Sequence, residues 1–168
     1  MGCMKKIVLF CAMFGLVVLW TSPVEAISAV QKDAIINRCE TIREELRDLQ
    51  HVDSRTRVYL GRYYETILTK FITPLNVRLT ENMLSTDSFV NNQNGFVKAR
   101  TNFTIDFIEY QKGLEDLVAI NCKTEPEKFY EKLVAVREKR QIVASDTAKM
   151  KKLVNEQITL VTALKEKL

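Results

Sequence analysis

The sequence predicts an all-α chain. It forms an elongated antiparallel three-helix bundle of coiled-coil type, running up, down and up, with the first helix kinked near Pro74. Three observations carry this. Apolar residues recur at alternating steps of four and three through three separate stretches, the spacing that keeps one seam of a helix facing a partner. Only five Gly and three Pro interrupt 168 residues, too little punctuation for a sandwich or barrel of short strands. Hydrophobic content of 46% with 27% charge suits a folded core under a well-solvated surface.

The chain opens with the marks of export. Lys5 and Lys6 precede an apolar run over residues 7–20, Pro23 breaks it, and Val24 and Ala26 supply the small residues of a signal-peptidase site. The run falls short of the ~20 residues that span a bilayer comfortably. Residues 1–26 therefore read as a secretory signal peptide cleaved after Ala26. The mature chain, 27–168, is then a single secreted or periplasmic helical domain with no transmembrane span. Cleavage removes Lys5, Lys6 and Glu25, which lowers the net charge from +4 to +3. So mild a charge gives no reason to expect a nucleic-acid partner.

The first helix is expected over about residues 28–82. Ile35, Cys39, Ile42, Leu46 and Leu49 set its seam, which crosses polar Asp53 and Thr56 and resumes at Leu60, Tyr63 and Ile67. The unbroken register favours one continuous helix, and Pro74, lacking an N–H, kinks it. Ser85 or Thr86 caps a second helix over residues 87–121. Its seam is Phe89, Gln93, Phe96, Arg100, Phe103, Phe107, Tyr110, Leu114, Leu117 and Asn121. Phe89, Phe96, Phe103 and Tyr110 fall at intervals of seven, an aromatic ladder suited to the wider core of three packed helices. Gly95 and Gly113 mark close helix approach.

The third helix is expected over residues 125–168, with Thr124 and Glu127 as a capping box and Pro126 in the first turn. Its seam is Phe129, Leu133, Val136, Arg140, Val143, Thr147, Met150, Val154, Gln157, Val161, Leu164 and Leu168, nine of the twelve apolar. Thr124 to Leu168 would make a rod of about 66 Å at ~1.5 Å per residue, too long to be buried alone in a compact domain.

Once the signal peptide leaves, Cys39 and Cys122 remain. In an oxidising compartment they most simply form one disulfide, and an intermolecular bridge in a dimer is the alternative. Helix register aligns the two only if the first reversal is centred near residue 80 rather than 85.

Motifs for chemistry are missing. His51 is the single histidine and no nucleophile motif accompanies it. There is no H-x-x-x-H, cysteine cluster, calcium loop or Gly-rich phosphate loop. Glu40, Glu44, Glu45 and Asp48 interleave with Arg38, Arg43 and Arg47, the pattern of salt-bridge lacing on an exposed helix face. No catalytic, cofactor or metal site is assigned, and an enzyme is not expected.

Two features point outward. Polar residues at seam positions, Arg140 among them, either set register or meet a partner along a partly open seam. A partner surface is expected at Tyr59 and Tyr64 and along the basic run Arg137, Lys139, Arg140, Lys149, Lys151 and Lys152, which could engage an anionic envelope component. The reading that follows is an exported, non-catalytic helical protein acting by protein–protein contact or as a structural envelope or cell-surface module, with homo-oligomerisation open. Size, export and long arms resemble, in format only, the periplasmic holdase chaperones with helical tentacles; no motif is shared. A secreted effector or toxin is a further alternative.

Overall fold

The computed structural model describes residues 27–166. The expected signal peptide and the last seam residue, Leu168, lie outside the described residues. Among these, all regular secondary structure is helical: α1 (Ala29–Asn37), α2 (Cys39–Ile67), a π-helical turn (Leu68–Ile72), α3 (Thr73–Glu81), α4 (Asp87–Ala119) and α5 (Pro126–Lys165).

The first rod is less continuous than its heptads suggest. It opens on a reciprocal cap, in which the Ser28 hydroxyl accepts from the Gln31 N–H at 3.2 Å and the Gln31 side chain accepts from the Ser28 N–H at 2.9 Å. Arg38 leaves helical geometry at φ −109°, ψ 15° and separates α1 from α2. A further irregularity precedes Pro74. Because Pro74 has no N–H to give the carbonyl four residues back, the chain widens into a π turn, and the Thr73 N–H reaches Leu68 O.

The buried stripe has already moved by the end of α2, because a straight helix drifts by ~20° per heptad against a strict 3.5 repeat. Tyr64, Leu68, Ile72 and Asn76 are buried at steps of four, where a strict heptad would select Tyr63 and Ile67. Tyr64 is therefore 5% exposed and Tyr63 49%, the reverse of expectation. The Tyr64 ring packs edge-on against Phe96 at 5.8 Å between centroids.

The chain reverses through Met83, which takes φ 54°, and enters α4 at Asp87. Along α4 the aromatic ladder is buried as its spacing predicts, together with Phe107, Leu114 and Leu117. α4 runs antiparallel to the first rod: Asn76 donates to Phe89 O, Asp53 meets Tyr110, and Cys39 lies against Cys122. It also runs antiparallel to α5, where Asn92 donates to Leu153 O and Lys132 pairs with Asp116. Gly95 and Gly113 face α5 closely. A Cβ at Gly95 would stand 3.3 Å from Leu153 Cδ2, and one at Gly113 3.3 Å from Val136 Cγ2.

Cys39 and Cys122 stand at disulfide distance, with their Cα atoms 5.5 Å apart and both side chains buried. The pairs Asn76–Phe89, Glu65–Arg100 and Ser54–Gln111 are symmetric about a point between residues 82 and 83, and Arg43–Val118 and Cys39–Cys122 about a point between residues 80 and 81. The register is that of a reversal near residue 80, which aligns the two cysteines. The capping box expected at Thr124 does not form. Glu125 occupies the N-cap with no side-chain cap bond, its carboxylate pairing with Lys128. The Thr124 hydroxyl donates to Asn121 O at 3.5 Å, and the Glu127 carboxylate pairs with Lys32 on α1, 2.5 Å away.

A candidate functional site between the first rod and α5

The predicted α5 seam divides into two sets at intervals of seven. Phe129, Val136, Val143, Met150 and Gln157 are buried, and Leu164, next in that set, is half-buried. Leu133, Arg140, Thr147, Val154 and Val161 are only half-buried or exposed. In a closed coiled coil both sets face a neighbour. Here α4 covers the buried set, and the open set faces the first rod across a gap. The close backbone approaches of α2 and α3 are to α4, while α1 is the part of the rod that closes on α5.

Two cavities mark the gap. The upper one, about 650 Å³, is lined by Asp53, Thr56 and Leu60 of α2, Phe103 and Tyr110 of α4, and residues of α5 from Arg137 to Thr147. A three-helix clasp crosses it. The Tyr110 hydroxyl donates to Asp53 Oδ2 at 2.7 Å, and Arg140 donates through Nε to Oδ2 at 3.0 Å and through Nη2 to Oδ1 at 3.3 Å. Burial, then the bond to Asp53, raises the pKa of the Tyr110 phenol well above its usual value. The same carboxylate raises that of Arg140. Tyr110 thus keeps its proton and Arg140 its charge, and the clasp holds three helices together.

The lower cavity, about 560 Å³, lies between Ile67, Phe71, Ile72, Pro74 and Leu75 on one side and Val154, Gln157, Ile158, Val161 and Thr162 on the other. Phe71 is 65% exposed and Ile158 59%, a large apolar surface for a protein facing water. Lys70 and Arg78 stand on its rim, and neither makes an ion pair among the described residues. Gln157 is 7% exposed, and neither its amide nitrogen nor its oxygen has a hydrogen-bond partner. A buried carboxamide left so costs roughly 1–3 kcal/mol for each unmet group.

The residues singled out in the sequence are dispersed. Tyr59 is exposed and stacks on Tyr63, while Tyr64 belongs to the core and is withdrawn from the surface. Arg137 and Arg140 line the upper cavity. Lys139 turns to Glu109 of α4 at 3.3 Å, Lys152 pairs with Glu156 one turn on, and Lys149 lies close enough to act on the Asp146 carboxyl. Lys151 is exposed. The basic run therefore does not gather into one patch. The lower cavity was missed by periodicity, and its signal was Phe71, an aromatic off the heptad beside Pro74.

Among the described residues no three His, Cys or carboxylate side chains come together as a metal site, and no helix is long and apolar enough to cross a membrane. The chain matches no protein-family model, no curated protein and no solved structure.

Proposed function

We propose that this chain is an exported, non-catalytic helical module that acts by protein–protein contact, at the envelope or cell surface. In this reading residues 1–26 direct export and are cleaved after Ala26. The first rod, α4 and α5 form an up-down-up three-helix bundle of coiled-coil type, bent near Pro74. The observation that carries the reading is the lower cavity, where Phe71 and Ile158 stay in water beside a buried, unpaired Gln157. Side chains of that kind fit a surface completed by another molecule. The clasp supports a non-catalytic role, since its three polar groups satisfy one another.

Site-specific photocrosslinking tests this. A photoreactive residue replacing Phe71 or Ile158 should give a discrete protein adduct in cells that express the chain, and Leu75→Asp should abolish it. The same residue replacing exposed Lys98 on α4 should give none. Adducts equal at all three positions, or absent from Phe71 and Ile158, would remove the proposal. A smear of many adducts at Phe71 would favour a holdase instead.

A further inference from the structure

We infer that the lower cavity and its rim, the furrow, dock a helix from another molecule, and that this helix is acidic and amphipathic and carries a carboxamide side chain opposite Gln157. This rests on the contact reading above and adds the chemistry of the partner.

Shape comes first. Arg140, Thr147, Val154 and Val161 follow one another by sevens along α5, and Asp53, Leu60, Ile67 and Pro74 do so along the first rod. Arg140 and Thr147 line the upper cavity opposite Asp53 and Leu60. Val154 and Val161 line the lower one opposite Ile67 and Pro74. Two parallel rows at heptad spacing are what a third rod packs between. In the upper cavity the Asp53–Arg140 pair bridges the two rows. The open part is the lower cavity, which from Ile67 to Arg78 extends ~17 Å at ~1.5 Å per residue, room for about three turns of helix.

Charge selects among occupants. Lys70 and Arg78 rim the lower cavity and Arg137 the upper. None has an ion-pair partner among the described residues. No carboxylate lines the lower cavity, and the single one in the upper, Asp53, is held by Tyr110 and Arg140. A second copy docking furrow to furrow would bring these cations against their equals. A helix flanked by Glu or Asp meets them with opposite charge.

Gln157 fixes the register. It lacks both a donor for its oxygen and an acceptor for its N–H groups, and one carboxamide on a facing helix supplies both. A buried amide pair of this kind specifies alignment at some cost in affinity.

The test is selection from a displayed library of amphipathic helices of about 15 residues with a fixed leucine seam, about three turns of which fill the lower cavity. Flanking positions are coded for Glu or Lys, and one seam position for Leu, Asn or Gln. Selected on the intact disulfide-bonded protein, clones should be enriched in Glu at the flanks and in Asn or Gln at the variable seam position, by about tenfold over the input, one decade per ~1.4 kcal/mol. Selection on the Lys70→Glu/Arg78→Glu variant should turn the flanks to Lys, and selection on Gln157→Leu should turn the seam position to Leu. No binders, flanks unchanged by the charge reversal, or preference for Leu on the wild-type protein would overturn the inference. So would oleate blocking every selected clone, or self-association that Phe71→Asp abolishes. If furrow crosslinks persist after such a failure, the contact reading stands and only the partner class falls. If they vanish too, both fall.

Discussion

The two ends of the molecule are built differently. At one end α1, the start of α2, the close of α4 and the start of α5 are tied together. Cys39 stands at disulfide distance from Cys122, Lys32 pairs with Glu127, and Arg43 Nε donates to Val118 O at 3.3 Å, above fully buried Leu114, Leu117 and Phe129. At the other end α3 is bonded to α4 through Asn76 and Gln93, and α4 to α5 through Asn92. Among the described residues no hydrogen bond or ion pair joins α3 to α5. The contrast teaches that alignment of all three helices is set at the stapled end and at the clasp, and not at the open end. The far end can then leave an apolar trough open without the helices slipping, because register is already fixed.

The staple is the place to break that arrangement. Cross-linking residues 83 apart in sequence stabilises by about 4–5 kcal/mol in the chain-entropy model. The Cys39→Ala/Cys122→Ala double variant should lose about that much in a denaturant melt, and the reduced wild type should lose a similar amount. A loss below ~1 kcal/mol, within the range of an ordinary surface change, would mean that packing alone closes this end.

Helix identity was legible because α4 and α5 repeat the heptad without a break, and the aromatic ladder of α4 is buried position for position. Cys39 and Cys122 were legible as a pair by elimination. What was not legible comes from helix drift and from pairwise competition. A heptad count assumes a 3.5-residue turn, and the drift of a straight α-helix against it, accumulated along α2, exchanged Tyr63 for Tyr64 in the core. Local capping rules place Thr124 and Glu127 together, but Lys32, distant in sequence, takes Glu127. The trough was half legible. Arg140 and Thr147 stand out as polar seam residues, and the structure places both on the open side. Nothing in a heptad count reveals that Gln157, equally polar and in the same seam, is buried with no partner.

Protonation distinguishes the stapled end from the middle of the molecule. Asp146 of α5 is buried and faces Asp106 of α4; burial first, then that neighbour, pushes its pKa up to about 6, against the opposing pull of Lys149. An acid whose pKa is raised by folding binds more protons folded than unfolded. Its penalty is therefore absent below about pH 4 and grows as pH rises through about 6. Discounted for a coupled, partly solvated pair, this amounts to about 1–2 kcal/mol. Glu127 goes the other way, since Lys32 holds its carboxyl below the usual range, and that support is lost as pH falls through the lowered value. Melting temperature measured between about pH 4 and 7.5 should fall for wild type and stay nearly level for Asp146→Asn. Identical slopes would show that Asp106 and Asp146 do not meet in solution.

The smallest effect belongs to the reversal at the open end. Met83 sits one residue past the C-cap of α3 with φ 54° and is 95% exposed, while the Leu84 N–H returns to Leu79 O at 3.0 Å. This is the hydrogen bond of a Schellman stop, whose left-handed residue is usually Gly. A side chain there costs ~1 kcal/mol and, so exposed, contributes no packing in return. Met83→Gly should therefore raise the stability of the whole chain by about 0.5–1 kcal/mol, a shift of a few degrees in Tm. It should do so while leaving peptide selection at the furrow unchanged. That separation matters because the turn joins α3 to α4, not α3 to α5. If the open trough were only slack in a poorly closed reversal, tightening Met83 would draw the rods together and weaken binding. If the trough is a built feature, the turn can be improved and the gap between Phe71 and Ile158 will stay.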